Sequence, residues 1–369
     1  MKEWHSRVIA IFSVAMIAIA VVAAILAMPQ KAVTFVRSDA AAAVDAVKKN
    51  DPPPLPPLDK KAYDMKMLEI AHVATTSPWY TAFMMGTTTA STTKPRPLWP
   101  VIRVYPKSQP LLPFNRIIAY YGNFLSTGMG ALGKWPPQEM LTRLQAATDE
   151  WRAADPTTPV ILALHLIIVT AQASAGSDGM YRARMSDSLI DEALKLADQI
   201  HGIVFLDFQV GLSTVQLELP QYEKYLAMPN VHVGIDPEFS MKDGVRPGRE
   251  IGTFDATDIN WVSNYLAGIV QKNNLPPKVL MVHRFTQDMV THAKKITPLP
   301  EVQIVMDMDG WGDPAKKINT YYNVVADEPV QFMGFKLFYK NDLLPPSTGM
   351  MTPKEVLKLT PAPIYIQYQ

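Results

Sequence analysis

From Asn115 to the C-terminus the chain repeats one pattern. Short apolar, β-branched runs alternate with stretches whose apolar residues recur at helical spacing. Arg116–Tyr121, Pro159–His165, Ile203–Gln209, Val231–Ile235, Lys278–His283, Val302–Asp309, Phe332–Tyr339 and Ile364–Tyr368 read as eight strands. Between them, helices are predicted over Pro137–Ala153, Ser186–Ile200, Leu219–Leu226, Asp255–Gln271, Gln287–Lys295 and Pro314–Val325. A seventh opens at Thr352-Pro353-Lys354-Glu355, a capping box with proline at the first helical position. Strands alternating with helices imply a parallel sheet with helical crossovers. Eight repeats predict an α/β fold of the (β/α)8 TIM-barrel type, ending on its eighth strand. An open, doubly wound sheet is the alternative.

The pattern before Asn115 is different. Residues 8–28 carry no charge over 21 positions, long enough to cross a bilayer, and Lys2 and Arg7 precede them. The expectation is a transmembrane anchor over residues 1–30, with the remainder outside the cytoplasm. A signal peptide cleaved near Ala27, giving a secreted protein, is the alternative. Residues 31–59 read as an Ala-rich and then Pro-rich linker, with five prolines between Asp51 and Asp59. Residues 60–114 read as an irregular lead-in packing on the barrel, and residues 115–369 as the barrel.

Composition removes several classes. The chain has no cysteine, so it holds neither disulfides nor a Cys/His zinc motif. It has no P-loop and no dinucleotide glycine signature, and no cofactor is expected. Formal net charge is +1, and the basic excess sits in residues 1–37. The near-neutral body has no footprint for nucleic acid.

The strand ends carry the candidate chemistry. In a barrel of this type the C-terminal strand ends and the following loops build the site. Here the eight ends offer, in order, Tyr121 and Asn123; His165; Asp207 and Gln209; Asp236 and Glu238; His283 and Arg284; Asp307, Asp309 and then Trp311; Lys336 and Tyr339; and Gln367. Strand interiors are nearly all apolar, so polar residues at every end point to a functional mouth. Asp236 and Glu238 share a face if the strand stays extended past Pro237. The loop Ser240–Gly252 holds glycines that suit a lid and arginines that suit an anionic or polyhydroxyl ligand. A solvated loop fits it equally.

The constellation resembles the glycoside-hydrolase (β/α)8 barrels. Gly234-Ile235-Asp236-Pro237-Glu238 is similar to the end of the strand-four signature DGxDxDxE of the chitinase-like branch, and Met306-Asp307-Met308-Asp309-Gly310 to its strand-six MxYDxxG. The two upstream aspartates and the strand-six tyrosine are missing, and Lys336 stands where another large glycosidase clan carries an acid on strand seven. The resemblance implies Glu238 as general acid with Asp236 in support. Asp307 and Asp207 are the candidate bases or nucleophiles. Tyr121, Asn123, His165, Gln209, His283, Arg284, Asp309, Trp311, Lys336, Tyr339 and Gln367 would bind substrate, the aromatics stacking on sugar faces. The expected function is a membrane-anchored, extracytoplasmic glycoside hydrolase or transglycosidase. A non-catalytic glycan- or protein-binding barrel is the second reading. A metal-assisted hydrolase using His165, Asp207, Asp236, His283 and Asp307 is the third.

Overall fold

The computed structural model describes residues 56–85, 99 and 104–369. The expected anchor and most of the linker lie outside those residues. Among the described residues no helix is long and apolar enough to cross a membrane.

Eleven strands follow in chain order: β1 Arg116–Gly122, β2 Val160–Ala171, β3 Arg182–Arg184, β4 Ile203–Phe208, β5 Val231–Ile235, β6 Phe254–Asp255, β7 Lys278–Arg284, β8 Val290–Thr291, β9 Val302–Met308, β10 Phe332–Leu337 and β11 Tyr365–Tyr368. Eight of them pair side by side in the order β1, β2, β4, β5, β7, β9, β10, β11. Every one of those pairings is parallel. The ring closes where β11 pairs with β1, Ile117 opposite Tyr365 and Tyr120 opposite Tyr368. This is a closed parallel eight-stranded barrel of the TIM type, and the open-sheet alternative is excluded. Its strands are buried on both faces, which explains their nearly continuous apolar runs.

Helices cover the outside where the sequence has a stripe. Pro137–Ala154 buries Met140, Leu141, Leu144 and Trp151. Asp187–Gln199 buries Leu189, Ile190, Ala193 and Leu196. Ala256–Lys272 starts from a reciprocal capping box between Asp255 and Asp258.

Three expected helices are broken. Pro220 tightens the middle of Val215–Leu226 into a 3-10 turn, Leu219–Tyr222, between two single α-turns. In Gln287–Lys295 the β-branched pair Val290–Thr291 pairs in parallel with Phe254–Asp255, and His292 takes a left-handed conformation with φ of 53°. Two 3-10 turns are all that remain there. The third, Pro314–Thr320, is α-helical and then widens into a π-turn over Tyr321–Ala326. Strand β2 outruns its expected end at His165, because Leu166–Val169 continue the apolar β-branched pattern, and β3 pairs antiparallel with its tip.

The lead-in is more regular than expected. Lys60–Ile70 is a helix, with the Asp59 carboxylate accepting from Ala62 N at 2.9 Å, and Pro78–Met84 is another. The first buries Tyr63, Met67 and Leu68. Ala362 N donates to Ile70 O at 2.8 Å, and Trp99 Nε1 to Gln331 O at 2.8 Å. At the N-terminal strand ends, Gln303 of β9 exchanges both amide hydrogen bonds with the Leu112 backbone, at 3.1 and 2.5 Å. That end of the barrel is therefore stoppered, and the opposite end is the open one.

Candidate active site at the barrel mouth

The inward positions near the C-terminal strand ends form a polar layer. His165 Nε2 and His283 Nε2 both approach Asp207 Oδ1, at 3.1 and 3.3 Å, and Tyr121 Oη donates to Asp207 Oδ2 at 3.1 Å. His165 Nδ1 lies 2.6 Å from Tyr365 Oη, and the Gln367 amide donates to that hydroxyl at 2.9 Å. His283 Nδ1 lies 2.8 Å from Asp309 Oδ2, and Lys336 Nζ lies 2.9 Å from Asp309 Oδ1. The lysine also sits 4.0 Å from the centre of the Tyr121 ring.

Two glycines make room for this layer. Asp207 pairs with Gly234, and Asp307 with Gly334. A Cβ on Gly234 would lie 2.3 Å from His165 Nε2 and 2.4 Å from Asp207 Oδ1, and one on Gly334 would lie 2.4 Å from Asp307 Oδ1. Both positions need glycine because a side chain would collide with a buried carboxylate.

The tip of β5 is a turn, not extended strand. Asp236 caps a 3-10 turn over Pro237–Phe239, its Oδ1 accepting from Glu238 N at 3.1 Å. The expected same-face alternation therefore does not apply. Asp-Pro initiates the turn instead, because the carboxylate satisfies a free amide and proline supplies the fixed φ. Gln209 donates to Asp236 Oδ2 at 3.3 Å and to Tyr121 Oη at 3.2 Å.

The carboxyls split into two protonation classes. Burial pushes Asp236 up to about 8, with the negative fields of Glu238, Asp207 and Asp309 adding to it. Glu238 is raised first by burial and then by Asp309. Burial raises Asp307 to about 7, and neither of its oxygens has a hydrogen-bond partner. Burial acts on Asp309 too, but Lys336 and His283 outweigh it and hold the group below the usual carboxylate range. His283 and His165 do the same for Asp207. Burial lowers His165 to about 4. His283 is buried as well, yet Asp309 and Asp207 carry it well above an ordinary histidine.

A cavity of about 720 Å³ opens above this layer. Tyr121, Gln209, Asp236, Glu238, Asp309, Trp311 and Lys336 all line it. His165, Asp207, His283, Asp307 and Gln367 lie beneath its floor, fully buried. The barrel thus gathers twelve of the fifteen site residues expected from sequence, but only seven reach the cavity.

Three others fall elsewhere. Arg284 follows inward His283 and so faces out, reaching Gln287 O at 3.0 Å and Glu328 at 2.6 Å. Asn123 braces the turn after β1, donating to Ile167 O at 2.8 Å and accepting from Leu125 N at 2.9 Å. Tyr339 bonds Tyr120 Oη at 2.9 Å in an aromatic cluster with Trp135 and Tyr368. No residue of the Ser240–Gly252 loop lines the cavity. That loop is stitched at its base by Gly252 N to Glu238 O and Thr253 N to Ser240 O, at 2.7 and 3.0 Å.

Sequence reading missed Tyr365 and Thr170. Tyr365 shares parity with Gln367, which was the available signal. Thr170 lines the cavity with its buried hydroxyl unpaired, and only the added length of β2 puts it there.

No protein-family model matches the chain. No curated protein sequence matches it either. Among solved structures, the Clostridial cellulose synthase subunit Z (CcsZ) from Clostridioides difficile aligns with a TM-score of 0.36 at 10% identity, over 69% of this chain and 91% of that chain. A score that low says nothing about shared chemistry. The barrel rests on the strand pairing described above.

Proposed function

We propose that the barrel mouth is a glycoside-hydrolase-type acid/base site acting on a glycan outside the cytoplasm. One observation carries the reading. Carboxyls of opposite protonation preference, Asp236 and Glu238 against Asp309, open onto one cavity. Groups driven apart in this way divide into acid and base. Glu238 is the half-buried member of its pair and the one best placed to hand a proton to a glycosidic oxygen. Burial raises both carboxyls of the pair, and Asp309 raises Glu238 further. Asp309 is the base, held ionised by Lys336 and His283. This moves the base from Asp307 and Asp207, which lie under the floor, to their neighbour on the cavity wall. Trp311, 48% exposed and lining the same cavity, offers an apolar face for a sugar ring.

A binding barrel that does not turn its ligand over is the second reading. The double ion pair of Asp309 with Lys336 and His283 favours it, because a carboxylate so engaged is a weak base. The test is incubation of the purified full-length chain with a panel of polysaccharides and oligosaccharides, followed by mass spectrometry of the products. Shortened or rearranged chains are expected. Tight binding of a glycan with no new product would leave only the binding barrel.

A further inference from the structure

We propose that His165, Asp207 and His283 form a buried site for one divalent transition-metal ion of the zinc class, beneath the cavity floor. Three separate strands, β2, β4 and β7, bring the ligand atoms together. His165 Nε2, His283 Nε2 and Asp207 Oδ1 all lie within 4.8 Å of one another. Both histidine nitrogens are already close to the carboxylate oxygen, at 3.1 and 3.3 Å. A tetrahedral ion with bonds of about 2.0–2.2 Å sets its ligand atoms about 3.3–3.6 Å apart, so the two histidine–carboxylate distances need only a few tenths of an ångström of adjustment.

The surroundings match what such an ion requires. A metal-binding imidazole has its second nitrogen held by an oxygen, which fixes ring and tautomer. Here His165 Nδ1 is hydrogen-bonded to Tyr365 Oη at 2.6 Å, and His283 Nδ1 lies 2.8 Å from Asp309 Oδ2, an ion-pair distance without hydrogen-bond geometry. The free oxygen of Asp207 accepts from Tyr121. The strand position facing two of the ligand atoms is Gly234, whose absent Cβ would sit 2.3 Å from His165 Nε2 and 2.4 Å from Asp207 Oδ1. Space at the ligand atoms is therefore kept open by the sequence.

The layer also holds an unpaired carboxyl, both oxygens of Asp307 lacking a hydrogen-bond partner. Two histidines and a carboxylate suit zinc, iron or manganese rather than calcium or magnesium. The three side chains are fully buried, so the ion would brace the layer that carries Asp309 and Tyr121. Tyr121, between the cavity and both imidazoles, marks the way in.

A protonated His283 bonded to Asp207 would hold the same atoms together without metal, and the experiment separates the two. The full-length chain is purified without chelator and its metal content measured by plasma mass spectrometry. It is then stripped and titrated with Zn²⁺ by calorimetry and with Co²⁺ by visible absorbance. The expected result is one equivalent of metal per chain, a rise in Tm on adding Zn²⁺, and cobalt bands of a low-coordinate nitrogen–oxygen site. His165→Gln and His283→Gln should abolish uptake, while Glu238→Gln should retain the full equivalent. A wild-type chain that carries no metal above the buffer blank, and shows no heat, no absorbance and no change in Tm on titration, overturns the site. So does uptake that survives in the double His165→Gln/His283→Gln chain. Neither outcome decides the glycan reading, which is tested by the products of wild-type and Glu238→Gln protein.

Discussion

Asp236 and Glu238 are two residues apart, yet burial gives them different parts. Asp236 is locked as the cap of its turn, while Glu238 projects from the tip into the cavity. Asp236 holds its proton to about pH 8 and burial raises Glu238 as well, so kcat/KM on a cleaved glycan should fall as pH rises through the ionisation of this pair. Asp236→Asn removes the titrating neighbour, and the basic limb of the profile should move to lower pH. A limb that stays in place would assign the proton to another group. Asp307 makes a stability prediction. Its folded value of about 7 lies above the ordinary 3.8, so the folded chain binds its proton more tightly. That contribution is full below about pH 4 and lost as pH rises through about 7. In metal-stripped protein, Asp307→Asn should raise Tm at pH 8 by several degrees and leave it nearly unchanged at pH 4, by differential scanning calorimetry. At this scale the sequence showed which side chains end the strands, and it lacked their direction. Arg284 looked equivalent to His283, but neighbours on a strand face opposite sides, and Tyr339 lies beyond the end of β10 at Leu337.

Among the elements, the barrel strands and the helices bounded by strong caps were legible, because each carries its signal locally. Thr352 forms the capping box that its spacing announces, and Asp255, at the start of its helix, forms a second with Asp258. The segments Leu219–Leu226 and Gln287–Lys295 depart from their helical pattern because a proline in one and strand pairing in the other override a weak apolar stripe. The two barrel glycines were visible only as weak strand formers. Their purpose needs the register, which sets Gly234 beside Asp207 and Gly334 beside Asp307. Gly334→Ala should therefore cost about 1–3 kcal/mol, the usual penalty for overpacking a filled interior, read as a lower urea midpoint. A wild-type midpoint would mean that the Asp307 carboxyl can swing aside without loss.

For the whole molecule, the rhythm of eight strands indicated a barrel, but closure is a long-range fact that no local signal contains. Strand β11 is paired on both sides, to β1 and β10, so deleting Ile364–Gln369 opens two edges at once. That truncated chain should be insoluble or lack a cooperative melt. A soluble, cooperatively melting product would mean that the barrel tolerates a missing stave. The helix Lys60–Ile70 and the Leu112 stopper show that the folded body begins well before Asn115, which the irregular composition of the lead-in concealed. What the assembled barrel is for depends on the proton at its mouth. The most direct test is turnover of one glycan by wild-type and Glu238→Gln protein at matched binding. Loss of about 10²–10⁴ in rate with ligand affinity retained is the result expected of a general acid. Equal rates in the two proteins would contradict the assignment of Glu238 as the acid.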